Sequence, residues 1–237
     1  MTGVDLVLFD LDETLLDHGS ASRAGLLRHL DELGHELDPD EAFDRWHALE
    51  EHHYPRYLRG ELGHQEQRRV RVREFLAPLG IVVATDRDAD DWFAGVQRAA
   101  HAAWSLFDDV VPCLQALGAR RIGVITNGED GPQRAKLAAL GLDHRVDPVV
   151  CSGAVGVVKP DPRIFAIACA DAGVPADRAC YVGDRLHTDA IGAAHAGLRG
   201  IWLDRAGVAT ADELAEAARE GVAVIRTLAE VPALVVG

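Results

Sequence analysis

A single apolar run, Val4–Phe9, broken only by Asp5, stands alone near the start of the 237-residue chain, and no convincing strand follows until Ile122. From Val110 onward short β-rich runs alternate with helical ones. The strand candidates are Ile122–Ile125, Val146–Cys151, Ala179–Val182 and Gly200–Leu203, with a weaker one at Val222–Ile225; helices begin near Gln133, Arg163, Ala190 and Asp212. Such alternation predicts βαβ units and a mostly parallel sheet. The isolated first run reads as a buried strand of that sheet, so the chain is expected to leave the sheet after one strand and return to it. The predicted class is α/β, with a Rossmann-like doubly wound core.

The intervening segment carries helical signatures. Leu26, Leu27, Leu30 and Leu33 keep helical spacing and stop at Gly34, and Asp38-Pro39 supplies an N-cap and a first-turn proline for a helix through Trp46 and Leu49. Val70, Phe75, Leu76 and Leu79 continue the pattern to Gly80, and a fourth helix is expected from about Asp88 through Trp92 and Val96 to Ala103. Four such helices fit a small bundle. The expected organisation is a core of residues 1–16 and 107–237 with a helical cap at 17–106.

Composition narrows the function. A formal charge of −14 argues against a nucleic-acid partner, although a local pocket in an acidic protein can still be positive. No apolar stretch approaches the roughly 20 residues that span a bilayer, and no secretory signal is visible at the N-terminus, so a cytoplasmic protein without membrane contact is expected. Cys113, Cys151, Cys169 and Cys180 form no C-x-x-C pair and lie in apolar segments, as packed reduced thiols do. Of 24 basic side chains only Lys136 and Lys159 are lysines, which makes each lysine a marked choice. Lys136 falls on a predicted surface helix, where a conservative change to arginine is expected to be silent.

Polar clusters sit where strands should end. The first run closes on Asp10-Leu11-Asp12-Glu13-Thr14, Ile122–Ile125 on Thr126-Asn127-Gly128, and Tyr181-Val182 on Gly183-Asp184, with Asp189 five residues beyond Asp184 and Lys159-Pro160 in between. Ligands of open α/β sheets bind outside the carboxyl ends of strands. Two carboxylates two residues apart raise each other's pKa unless a cation holds them ionised, and a divalent metal is the simplest candidate. A hydroxyl, backbone N–H groups, a lysine and three or four carboxylates suit a phosphoryl group with a magnesium ion. Taken singly, each cluster has a plainer reading: turn or cap aspartates at Asp12, Asp184 and Asp189, a strand-to-helix turn at Thr126-Asn127-Gly128, a solvated charge at Lys159.

Together, in this order, D-x-D-x-T at Asp10, Asp12 and Thr14, the strand-end Thr126, Lys159, and G-D-x-x-x-x-D at Gly183, Asp184 and Asp189 make the chain resemble a haloacid dehalogenase-like (HAD) hydrolase, of the branch with a helical cap inserted after the first motif. The resemblance spans nearly the whole chain. It implies that Asp10 is a nucleophile forming an aspartyl-phosphate and that Asp12 protonates the leaving oxygen and then activates water. It further implies that Asp10, Asp184 and the Asp12 backbone carbonyl bind Mg²⁺, with Asp189 standing behind them. Thr126, the Asn127 N–H and Lys159 would hold the phosphoryl oxygens.

The expected activity is therefore Mg²⁺-dependent hydrolysis of a small phosphorylated metabolite by a monomer or homodimer. The alternatives are a phosphomutase, a haloacid dehalogenase, or an idle binding or regulatory protein on the same scaffold. Asp12 favours phosphoryl chemistry, because dehalogenases of the family generally lack this carboxylate; a cap free of lysine excludes a Schiff-base hydrolase. His47, His52, His53 and His64 in the cap show no metal-binding spacing and are read as solvated or core-edge. Arg56, Arg59, Arg68, Arg69, Arg71 and Arg73 are read as exposed helix faces paired with Glu61, Glu66 and Glu74, the alternative being that one or two of them contact an anionic part of the substrate.

Overall fold

The computed structural model describes residues 3–235. Six parallel strands form one sheet in the order β3-β2-β1-β4-β5-β6, where β1 is Leu6–Phe9, β2 Arg121–Thr126, β3 Val149–Cys151, β4 Ala179–Gly183, β5 Arg199–Leu203 and β6 Ala223–Ile225. Every residue of β1 is buried, as a strand covered on both faces requires. Its register pairs Phe9 with Val124 on one side and Val182 on the other, so β1 is central although its neighbours lie more than 100 positions away. The chain builds outward from β1 to β3 and then restarts at β4. This reversal creates the crevice at which doubly wound sheets bind ligands.

The strands are joined by α5 (Val110–Ala116), α6 (Asp130–Ala139), the one-turn α7 (Ser152–Val155), α8 (Pro162–Ala172), α9 (Gly192–His195) and α10 (Ala211–Arg219), and α11 (Val231–Val235) follows β6. Asp161 starts α8 by accepting the Arg163 N–H (2.9 Å), Pro162 follows at the first turn, and Gly173 closes the helix in the left-handed conformation. Phe165, Ile164 and Ala168 of α8 pack with Leu6, Leu8, Ile125 and Tyr181 in a buried cluster beneath the sheet. Among the boundaries that differ from the sequence expectation, two lie next to the sheet. The third strand begins at Val149 and not Val146, after Pro148, which has no N–H for a ladder. The helical segment expected near Ala190 starts at Leu186 with a π-turn that runs to Ile191 before α9. All four cysteines are buried free thiols, and no helix among the described residues is long and apolar enough to cross a membrane.

The chain divides into two compact units, one of residues 18–104 and one of the remainder. The smaller unit holds α1 (His18–Glu32), α2 (Pro39–Leu58), α3 (His64–Leu76) and α4 (Asp86–His101). Asp38 caps α2 through the N–H groups of Asp40 and Glu41, both at 3.0 Å, and Thr85 exchanges bonds with Asp88 to start α4. α2 continues past Leu49 and through Pro55, carrying His53 inward, where its ring bonds Glu74 of α3 at 2.8 Å. Trp46 is buried edge-on against Phe75, with ring centres 5.4 Å apart. α1 and α4 approach so closely that a Cβ on Gly25 would lie 2.6 Å from the Ala100 backbone nitrogen.

The arginine stretch is only in part the solvated face expected. Arg59 pairs with Glu61, and Arg69 and Arg73 pair with aspartates of α4. Glu66 instead reaches back to the Gly63 N–H, and Glu74 serves His53. Arg71 is buried, stacks 4.6 Å over Trp46 and bonds Glu50 at 3.1 Å. Burial works against the Glu50 carboxylate, but Arg71, together with His18 and His47, more than offsets it and leaves the pKa lowered.

Because β1 is the strand from which Asp10 projects, its packing bears on the site. Leu8→Ala should cost about 2–5 kcal/mol of stability, measured by chemical denaturation with a probe in the sheet unit.

Candidate active site

The carboxyl ends of β1, β2 and β4 deliver Asp10, Thr126 and Gly183-Asp184 to one edge of the sheet. The Asp10 N–H still pairs with the Val182 carbonyl (2.9 Å), so the ladder sets the position of its side chain. Beyond it the chain turns sharply: Glu13 takes a positive φ of 61°, uncommon for a residue with a Cβ, and its N–H bonds the Leu16 carbonyl at 2.9 Å. Gly183 is required by proximity, since a Cβ there would lie 2.5 Å from the buried Asp189 side chain. Trp202 of β5 donates its ring N–H to the Asp184 carbonyl at 2.9 Å, which fixes the backbone at the end of β4.

Lys159 joins these ends. Its side chain is almost fully buried, and Nζ reaches Asp10 Oδ1 at 2.6 Å, Asp189 Oδ1 at 2.7 Å and the Tyr181 hydroxyl at 2.7 Å. An ammonium has three protons, and each has an acceptor. The Tyr181 hydroxyl in turn donates a hydrogen bond to the Ile125 carbonyl at 2.9 Å, and the Arg185 N–H donates to Asp189 Oδ2 at 3.0 Å. The Lys159 main chain is held by the Asn127 side chain, whose Oδ1 accepts the Lys159 N–H (2.8 Å) while Nδ2 donates to its carbonyl (3.0 Å).

A second group forms around Asp12. Lys136 Nζ lies 2.6 and 2.7 Å from its two carboxylate oxygens. The Gln133 amide donates to Asp12 Oδ2 at 3.1 Å and to the Thr126 hydroxyl at 2.5 Å, tying together two of the motif residues. This corrects the sequence expectation for Lys136: it is no solvated surface cation but a side chain only 12% exposed, and substitution by arginine is no longer expected to be silent. Gln133, Lys136 and Tyr181 were not among the candidates read from sequence. A signal did exist for one pair, because Gln133 and Lys136 are three residues apart on α6 and so share a face.

Residues 4–197 match the model of the haloacid dehalogenase-like hydrolases. The chain belongs to this family. It is 34% identical over 224 residues to a phosphoserine phosphatase of Thermus thermophilus, covering 84% of this chain and 88% of that one. It is 31% identical over 207 residues to a glyceraldehyde 3-phosphate phosphatase of Methanopyrus kandleri, covering 85% and 84%. Among solved structures, a HAD hydrolase of Bacillus subtilis bound to magnesium superposes with a TM-score of 0.81 over 99% of both chains at 19% identity. A 2-haloacid dehalogenase of Pseudomonas syringae gives 0.63 at 29% identity, over 98% of this chain and 97% of that one.

As a HAD-like hydrolase the protein has a site short of positive charge. Asp10, Asp184 and Asp189 each offer a carboxylate oxygen, and these atoms lie within 4.8 Å of one another, while Lys159 bonds only Asp10 and Asp189 of the three. Burial first, then the Asp189 charge, pushes Asp10 up to about 7 in spite of Lys159, and burial with Asp189 and Asp10 pushes Asp184 up to about 8. Burial opposes the charge of Lys159, yet Asp10 and Asp189 outweigh it and raise its pKa. An all-oxygen set of partly uncompensated carboxylates suits a hard divalent cation.

A carboxyl whose pKa is raised on folding contributes stability below its unfolded value and loses it as pH rises through the folded one. In chelator, the melting temperature should fall as pH is raised from about 6 to about 9. Asp184→Asn should flatten that decline, as thermal scans across the range will test.

Proposed function

We propose that this HAD-like hydrolase is a Mg²⁺-dependent phosphoric monoester hydrolase acting on a small phosphorylated metabolite. The observation that carries the proposal is the pairing of the two aspartates of the first motif with different lysines, Asp10 with Lys159 and Asp12 with Lys136, at the edge where strand ends converge. The phosphatase names of the relatives support it. The dehalogenase neighbour supports a second chemistry, which we do not favour: a departing halide needs no proton, and the Asp12 carboxylate would then have no work.

In the proposed first step an Asp10 oxygen bonds to phosphorus, the bond from phosphorus to the ester oxygen breaks, and that oxygen takes the proton of the Asp12 carboxyl. In the second, a water oxygen attacks phosphorus, its proton passes to the Asp12 carboxylate, and the Asp10–phosphorus bond breaks to release inorganic phosphate. One difficult displacement becomes two easier ones. The Thr126 hydroxyl, the Asn127 N–H and Lys159 would hold the phosphoryl oxygens. Asp10, Asp184 and the Asp12 carbonyl would hold Mg²⁺, which when bound neutralises charge on the phosphoryl group, with Asp189 fixing Lys159 behind them.

The helical unit, residues 17–106 in this proposal, serves as the cap that selects substrate. Phosphate esters of serine, glyceraldehyde, sugars, nucleosides and glycolate form the panel to test. A cytoplasmic location belongs to the same proposal, supported by the four free thiols, and no nucleic-acid or membrane partner is invoked for a chain of charge −14. It would act as a monomer or homodimer.

p-Nitrophenyl phosphate should be hydrolysed with added Mg²⁺ and not in chelator. Asp10→Asn should leave less than about a thousandth of the activity with the fold retained by circular dichroism; higher residual turnover would count against covalent catalysis.

Lys159→Arg keeps the charge but replaces a compact ammonium by a planar fork that does not fit three acceptors at 2.6–2.7 Å. It should lower kcat/KM at least about tenfold, measured on the best ester of the panel.

A further inference from the structure

Asp12 lies on the turn after β1, and the groups that orient its carboxylate come from α6, 121 and 124 positions later. Three donated hydrogen bonds converge on it. Lys136 Nζ meets Oδ1 at 2.6 Å and Oδ2 at 2.7 Å, and Gln133 Nε2 meets Oδ2 at 3.1 Å. Rotating the carboxylate about its Cβ–Cγ bond would break all three. Gln133 is itself buried and anchored by the Thr126 hydroxyl at 2.5 Å, so the carboxylate is referenced to the end of β2 as well as to its own turn.

Residue choice points the same way. This chain uses arginine at 22 of 24 cationic positions, and on exposed faces it pairs arginine with acid, as at Arg134–Asp130 on α6 itself. Two positions further along the same helix it uses lysine, with the side chain largely covered. A point-like ammonium can sit in front of both oxygens of one carboxylate in a narrow space, where a guanidinium would impose its own plane and length.

We infer that Lys136, assisted by Gln133, is a positioning residue for Asp12: it holds the carboxyl group in the orientation from which it exchanges a proton with the leaving oxygen and with water. A general acid must lie within hydrogen-bond reach of the atom it protonates, so misorientation penalises a poor leaving group and spares a good one. The inference rests on the phosphatase proposal above, and the test separates the two.

kcat/KM would be measured with Mg²⁺ for p-nitrophenyl phosphate and for the alkyl ester of the panel that is turned over fastest. Lys136→Met should lower kcat/KM for the alkyl ester at least about tenfold and for the aryl ester by less than about threefold. In an Asp12→Asn background the same substitution should cost less than about twofold further, because a residue acting through Asp12 has nothing left to position. If only the aryl ester is turned over, the cycle is read on its kcat, which includes hydrolysis of the aspartyl-phosphate. Should Lys136→Met not fold, Lys136→Gln takes its place with the same expectation. Equal losses on both esters, or additive losses in the cycle, would overturn the inference and leave Lys136 as an anchor of α6. No Mg²⁺-dependent turnover of the aryl ester by the unsubstituted chain would overturn the phosphatase proposal and the inference with it.

Discussion

The buried ammonium of Lys159 is the interaction on which the site depends. A lone cation in the interior is costly, and here the cost is met by three acceptors, Asp10, Asp189 and Tyr181, each from a different place in the chain. The dependence is mutual. Three carboxylates gathered at one strand edge would repel one another without a cation, and the lysine could not remain charged there without them. Removing the lysine or either carboxylate leaves buried charge unbalanced, and removing Tyr181 leaves one ammonium proton without its acceptor.

The sheet makes that unit geometrically possible. Parallel strands point their carboxyl ends the same way, and the reversal of strand order beside β1 leaves those ends uncovered by a connecting helix. Asp10, Thr126 and Asp184 are therefore presented by three rigid neighbours. Bulk around them is restricted where it would interfere: Gly183 leaves room for Asp189, and Asn127 clasps the loop that carries Lys159. The helical unit is built on a different principle. Its centre is aromatic, with Trp46, Phe75 and Trp92 in contact, and Arg71 lies over Trp46 while bonded to Glu50. A guanidinium tolerates such burial because it stacks as well as donates.

Much of this was legible along the chain, and the reasons are local. A strand buried on both faces must be a continuous apolar run, so β1, β2, β4 and β5 stand out, and a helix announces itself by a cap such as Asp38-Pro39. Boundaries were less secure where a local rule met a tertiary one. The Asp38-Pro39 cap marks where α2 starts, but its end lies beyond Leu49, at Leu58, and the added turns carry His53 to Glu74 of α3. Arg71 has the charge of a surface residue and the burial of a core one.

Sequence by itself determined the class of fold, the motif residues at strand ends and the unusual status of the two lysines, because each of these follows from periodicity, spacing or composition. What it could not determine was the partner of each charged group. Lys136 looked like a surface residue because helical spacing gives its face but not what that face meets. Only the packing of α6 beside β2 and the turn after β1 brings it onto Asp12, and only the order of strands brings Tyr181 under Lys159. Pairing across more than a hundred residues is decided by the register of the sheet, and that register exists only once the chain has folded.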